Sequence, residues 1–76
     1  MALYARIEKI EEDERKVRYR YTDMSGGERT LLLDKESETV SSEGGVEDML
    51  YRAVARKVAV AWVRDGIAPE KLLVQS

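Results

Sequence analysis

Two stretches of the chain, residues 3–10 and 16–22, alternate apolar and polar residues with a period of two, and a short charged segment separates them. This pattern confines the first half of the molecule to a half-buried antiparallel sheet. In residues 3–10, Leu3, Ala5 and Ile7 fall on one face, and Tyr4, Arg6, Glu8 and Ile10 on the other. In residues 16–22, Val17, Tyr19 and Tyr21 oppose Lys16, Arg18 and Arg20. A third strand is predicted over 28–34, with Leu31 and Leu33 inward. Valine and tyrosine suit a pleated surface. The connections are Glu11-Glu12-Asp13-Glu14-Arg15, too charged to bury, and Asp23-Met24-Ser25-Gly26-Gly27, whose glycines tolerate positive φ.

Turns centred on Asp13 and Ser25 set a testable register. Glu8 then lies opposite Arg18 and Lys16 opposite Asp34, both favourable pairs on the outer face. Ile7 stands beside Tyr19, Tyr19 beside Leu31, and Arg6 opposes Arg20 unfavourably. Asp34-Lys35-Glu36-Ser37 reads as a further turn, and residues 38–41 as a short edge strand.

From residue 46 the period changes to that of a helix. Leu50, Val54, Val58 and Ala61 recur on one stripe, flanked by Tyr51 and Trp62, over a predicted helix of 46–65. Glu47 and Asp48 are expected in its first turn and Arg64 in its last, each where the helix dipole favours that sign. Gly66 offers a left-handed cap, Ile67 is expected to fold back on the last turn, and Pro69 prevents resumption. Leu72-Leu73-Val74 predicts a closing strand over 72–75, beside the first strand. The expected fold is α+β: a two-layer single domain over 1–76. An antiparallel sheet of three to five strands carries one long helix on one face. The predicted core is Leu3, Ile7, Val17, Tyr19, Leu31, Leu33, Leu50, Val54, Val58 and Trp62.

Composition narrows function by exclusion. The 76 residues include no cysteine and no histidine, which removes disulfides, thiolate metal sites and the commonest neutral metal ligand. With 43% hydrophobic and 37% charged residues and a net charge of −2, the chain is a folding composition without the basic excess of a dedicated DNA-binding domain. Met1 to Arg6 form no apolar leader, and no run reaches the ~20 apolar residues of a membrane span. These features predict a cytoplasmic protein with no membrane association.

The motifs that resemble chemistry fail on context. Ser25-Gly26-Gly27-Glu28 looks like the signature of transport ATPases, but a strand follows it where that motif opens a helix. Gly44-Gly45 precedes the helix, yet two glycines alone are a flexible connection. Glu11 to Glu14 lack the spaced ligands and central glycine of a calcium loop. The serines have no histidine to activate them. Neither catalysis nor a cofactor is predicted.

Two surfaces remain. On the helix, Met49, Val60 and Val63 lie away from the core stripe, around Arg52 and Arg56. Apolar residues mixed with arginine are a composition typical of protein interfaces. On the sheet, Arg6, Lys16, Arg18 and Arg20 form a basic strand face, joined by the apolar Tyr4, Ile10 and Leu32. Alternation places Tyr19 and Tyr21 on the opposite face, so a base stacked on a tyrosine would be separated from a phosphate on an arginine. The leading expectation is a non-catalytic protein-interaction or regulatory module, binding a protein partner or forming a weak homodimer through Met49, Val60 and Val63. The alternative is nucleic-acid binding through the basic strand.

The opening from Leu3 to Glu12, the Val17-Arg18-Tyr19-Arg20-Tyr21 strand, Leu33-Asp34-Lys35 and the Gly66…Pro69-Glu70 tail together resemble small actinobacterial proteins of unknown function. That resemblance implies a bacterial, cytoplasmic, stand-alone protein and assigns no catalytic or binding residues.

Overall fold

The computed structural model describes residues 3–75; Met1 and Ala2 of the N-terminal stretch, and Ser76, lie outside them. The elements run β1 (Tyr4–Glu12), β2 (Lys16–Asp23), β3 (Glu28–Asp34), β4 (Thr39–Ser42), α1 (Met49–Asp65) and β5 (Lys71–Gln75). The five strands form one antiparallel sheet in the order β4-β3-β2-β1-β5, and α1 packs on one face. Both marginal segments are therefore strands of the main sheet. The fourth runs 39–42 rather than 38–41, and β5 pairs with β1.

Alternation sorts the two faces as the sequence requires. Ala5, Ile7, Val17, Tyr19, Tyr21, Leu31 and Leu33 are buried beneath Tyr51, Val54 and Val58 of the helix. Leu3, Leu50 and Trp62 are only partly buried at the margin of this core, whereas Ala68 and Val74 complete it. The helical stripe is thus centred on Tyr51, Val54, Val58 and Ala61, one position along from the expected Leu50.

The β2–β3 register matches expectation, with Lys16 opposite Asp34 and Tyr19 opposite Leu31. The β1–β2 register does not. Glu8 faces Arg20, Ile7 faces Tyr21, and Arg6 faces Thr22, so the like-charge pair disappears. Two features move the pairing. The hairpin turn is tight and lies further along the chain. The Asp13 N–H donates to the Lys16 carbonyl (2.9 Å), and the Asp13 carboxylate accepts from the N–H groups of Arg15 and Lys16 (2.8 and 2.7 Å). These bonds hold its carboxyl below the usual range, the bond from Lys16 contributing most. A bulge at Ile10 between Lys9 and Glu11 then shifts the ladder again. Ile10 is the extra residue, without a partner across the ladder, and it is exposed.

The bulge also explains how Glu11 and Glu12 remain in a strand. Glu11 meets Arg18 outside. Glu12, opposite Val17, accepts from both Lys9 (2.6 Å) and Lys35 (2.7 Å). The Lys35 ammonium lies 5.9 Å from the centre of the Trp62 ring, so a polar cluster closes this end of the core. Nearby, the Tyr19 hydroxyl donates to the Pro69 carbonyl (2.6 Å) and ties the α1–β5 connection to the sheet.

The helix starts at Met49, three residues later than predicted. Asp48 is its N-cap, accepting from the Tyr51 N–H at 2.8 Å, and Glu47 precedes the helix. Gly66 caps the other end at φ 70°, its N–H donating to the Trp62 carbonyl. Ile67 does not fold back; it is exposed, and Ala68 turns inward instead.

Candidate protein interface

At roughly 100° of rotation per residue, Met49, Arg52, Arg56, Val60 and Val63 fall within an arc of about 80°, opposite the buried stripe. All five are exposed; Met49, Val60 and Val63 retain 60%, 49% and 66% of their surfaces. The structure therefore brings the five predicted residues onto one face. Arg52 and Arg56, with the neighbouring Lys57, form no ion pair among the described residues. At the N-terminal end of this face, Asp48 is committed to capping and to Arg29 (3.0 Å). Its carboxyl is held below the ordinary range, first by the Tyr51 N–H and then by Arg29.

The basic strand is arranged differently. Arg18 is clamped between Glu11 and Glu43, the latter at 2.9 Å. Arg20 sits between Glu8 and Glu28 at 3.8 and 3.9 Å. Lys16 faces Asp34 across the ladder. Neighbouring segments thus set carboxylates on both sides of Arg18 and of Arg20. Arg6 is exposed and unpaired among the described residues, between Thr22 and Leu73. Tyr19 and Tyr21 are sealed beneath the helix at 0% and 1% exposure and present no ring to a base.

One feature of the surface is absent from the sequence reading. A groove of about 520 Å³ runs between α1 and β5, bordered by Ala53, Arg56, Lys57, Val60, Leu73 and Val74. Its signal was the consecutive apolar run Leu72-Leu73-Val74. In a strand with one buried face, one of three neighbours must point away, and Leu73 does so, 43% exposed.

No group of acidic side chains among the described residues is arranged to hold a metal ion, and no helix there is long and apolar enough to cross a membrane. No protein-family model matches the chain, and neither a curated protein nor a solved structure is significantly similar to it.

Proposed function

We propose that this protein is a non-catalytic protein-interaction module that binds its partner through the outward face of α1: Met49, Arg52, Arg56, Val60 and Val63. The observation that carries this reading is the contrast in pairing. On the sheet, Arg18 and Arg20 each lie between two carboxylates of the same molecule, whereas Arg52 and Arg56 stand unpaired among exposed apolar side chains. Arginine beside apolar anchors is the usual makeup of an interface centre. The lack of cysteine and the resemblance to actinobacterial proteins support a bacterial cytoplasmic setting.

A homodimer through Met49, Val60 and Val63 would set Arg52 and Arg56 against their own copies, which favours a different partner. Nucleic-acid binding through Arg6, Lys16, Arg18 and Arg20 would require phosphates to displace the carboxylates that clamp Arg18 and Arg20. A low-salt oligonucleotide titration reads that alternative directly.

The deciding experiment is affinity capture with the tagged full chain and a Met49→Glu/Val60→Glu variant, matched for circular dichroism. The expected result is a protein partner held by the parent and lost by the variant. An identical set of captured proteins from both would show the face to be ordinary surface. So would no partner together with a constant monomer mass on dilution.

A further inference from the structure

We infer that the open edge of β5, with the groove beside α1, takes up an extended acidic–apolar segment of a partner protein as a sixth strand. This rests on the interaction reading above and adds the chemistry and geometry of the partner.

Backbone pairing supplies the first argument. The Lys9 N–H donates to the Glu70 carbonyl at 2.8 Å, making these two a hydrogen-bonded pair. Antiparallel pairing alternates, so Ile7–Leu72 and Ala5–Val74 are the next such pairs. Lys71, Leu73 and Gln75 therefore aim their N–H and C=O groups away from β1. No backbone bond to another element uses them among the described residues. The opposite edge of the sheet is closed off: β4 is four residues of Thr-Val-Ser-Ser, and the Tyr51 hydroxyl reaches its Val40 carbonyl at 3.3 Å. Short polar strands and covered carbonyls protect sheet edges. On β5 only Lys71 serves that purpose.

Charge supplies the second argument and selects the occupant. The groove's ionisable residues are Arg56 and Lys57, both exposed and unpaired, with no acid among its lining residues. Lys71, on the strand itself, makes no ion pair among the described residues either. A second copy offers the wrong charge: its β5 reads Lys-Leu-Leu-Val-Gln, without an acid, and it brings its own Arg56 and Lys57. An extended segment with an apolar residue against Ala53 and Val60, and Asp or Glu beside Arg56 and Lys57, meets both requirements. In strand addition the main chain supplies affinity and alternate side chains supply selectivity.

The test is selection of phage-displayed random dodecapeptides on the immobilised full chain, followed by titration of the enriched synthetic peptide into 15N-labelled protein. Expected are peptides alternating apolar and acidic residues. The Lys71, Leu73 and Gln75 amides should move and gain protection from hydrogen exchange. Arg56→Glu/Lys57→Glu should weaken binding by at least about tenfold. Leu73→Pro, which removes an outward N–H and no β1 bond, should weaken it comparably; if that variant loses its fold, charge reversal alone decides. Enriched peptides that move Met49, Arg52 and Val63 but leave β5 unmoved would overturn strand addition while sparing the helix face. Enrichment of neutral or basic peptides, no enrichment, self-association abolished by Leu73→Pro, or an oligonucleotide bound in the groove would each overturn it.

Discussion

On the inner face of the sheet, Ala5, Ile7, Val17, Tyr19, Tyr21, Leu31 and Leu33 are at most 1% exposed. One residue along the same strands, Arg18 and Arg20 stand on the outer face, each between two carboxylates. The inner face draws its energy from removal of apolar surface from water, so shape matters and errors are costly. The outer face exchanges hydration for ion pairs of nearly equal worth, so it tolerates change. One face is consumed by the core, and on the other Arg18 and Arg20 are paired within the molecule while Arg6 is not. What remains for a partner, besides Arg6, is the back of the helix and one sheet edge.

The comparison breaks most easily at Leu31. Leu31→Ala removes a fully buried side chain and is expected to cost about 2–5 kcal/mol in chemical denaturation, a large share of the stability of so small a domain. A loss under ~1 kcal/mol would place the core elsewhere.

Tyr19 carries the next effect. Burial, and secondarily the Glu12 charge, push its phenol up to about 12 from 10. The folded state therefore prefers the neutral phenol. This contribution is fully present below pH 10 and is lost as pH rises from 10 to 12. About 2–3 kcal/mol is involved at most. Denaturation midpoints across pH 8–12 should fall in that window, and Tyr19→Phe should flatten the decline. An unchanged alkaline slope in the variant would assign the titration to another group.

Asp48 tests the helix start. Its depressed pKa means that its contribution is present above the unfolded value of 3.8 and is lost as pH falls through the lower folded value. Asp48→Ala should lower the melting temperature at pH 7 and reduce the drop between pH 5 and 2. Asp48→Asn, which still caps, should recover most of the loss at pH 7. Equal melting of all three would show that the cap contributes nothing.

Arg18→Gln should change stability by no more than about 1 kcal/mol, despite losing two ion pairs, and 0.5 M salt should shrink the difference further. A larger loss would mean that the outer face behaves as a core. The smallest effect sharpens the inner face. The buried Tyr21 hydroxyl has no hydrogen-bond partner among the described residues, so Tyr21→Phe should be neutral or stabilising in the same denaturation assay. Marked destabilisation would reveal a partner for that hydroxyl.

The sorting of faces was legible because alternation along β2 is uninterrupted from Val17 to Tyr21, and the β2–β3 register then places Leu31 and Leu33, within a run of three leucines, on the same side. The β1 register was not. A bulge adds a residue without changing composition, and the inward Glu12 and Lys9 resemble solvent-facing charges until Lys35 joins them. Asp48 read as a first-turn acid because cap and first turn favour the same residue type. The five residues of the helix face were legible from period alone. The groove was not, because it exists only once β5 has paired with β1.

That pairing has a consequence for how the chain reaches its fold. The β1–β2–β3–β4 ladders join near neighbours through short turns, whereas Glu8–Lys71 and Ala5–Val74 join nearly opposite ends of the described chain. Closing so long a loop costs more entropy, and contacts distant in sequence form slowly. As the chain leaves the ribosome, the meander can assemble while the far side of β1 stays vacant. In pulse-labelling hydrogen exchange, Leu72 and Val74 should then gain protection after Tyr19 and Leu31. A chaperone that shields newly made sheet edges would meet β1 in that interval, before it could ever meet β5.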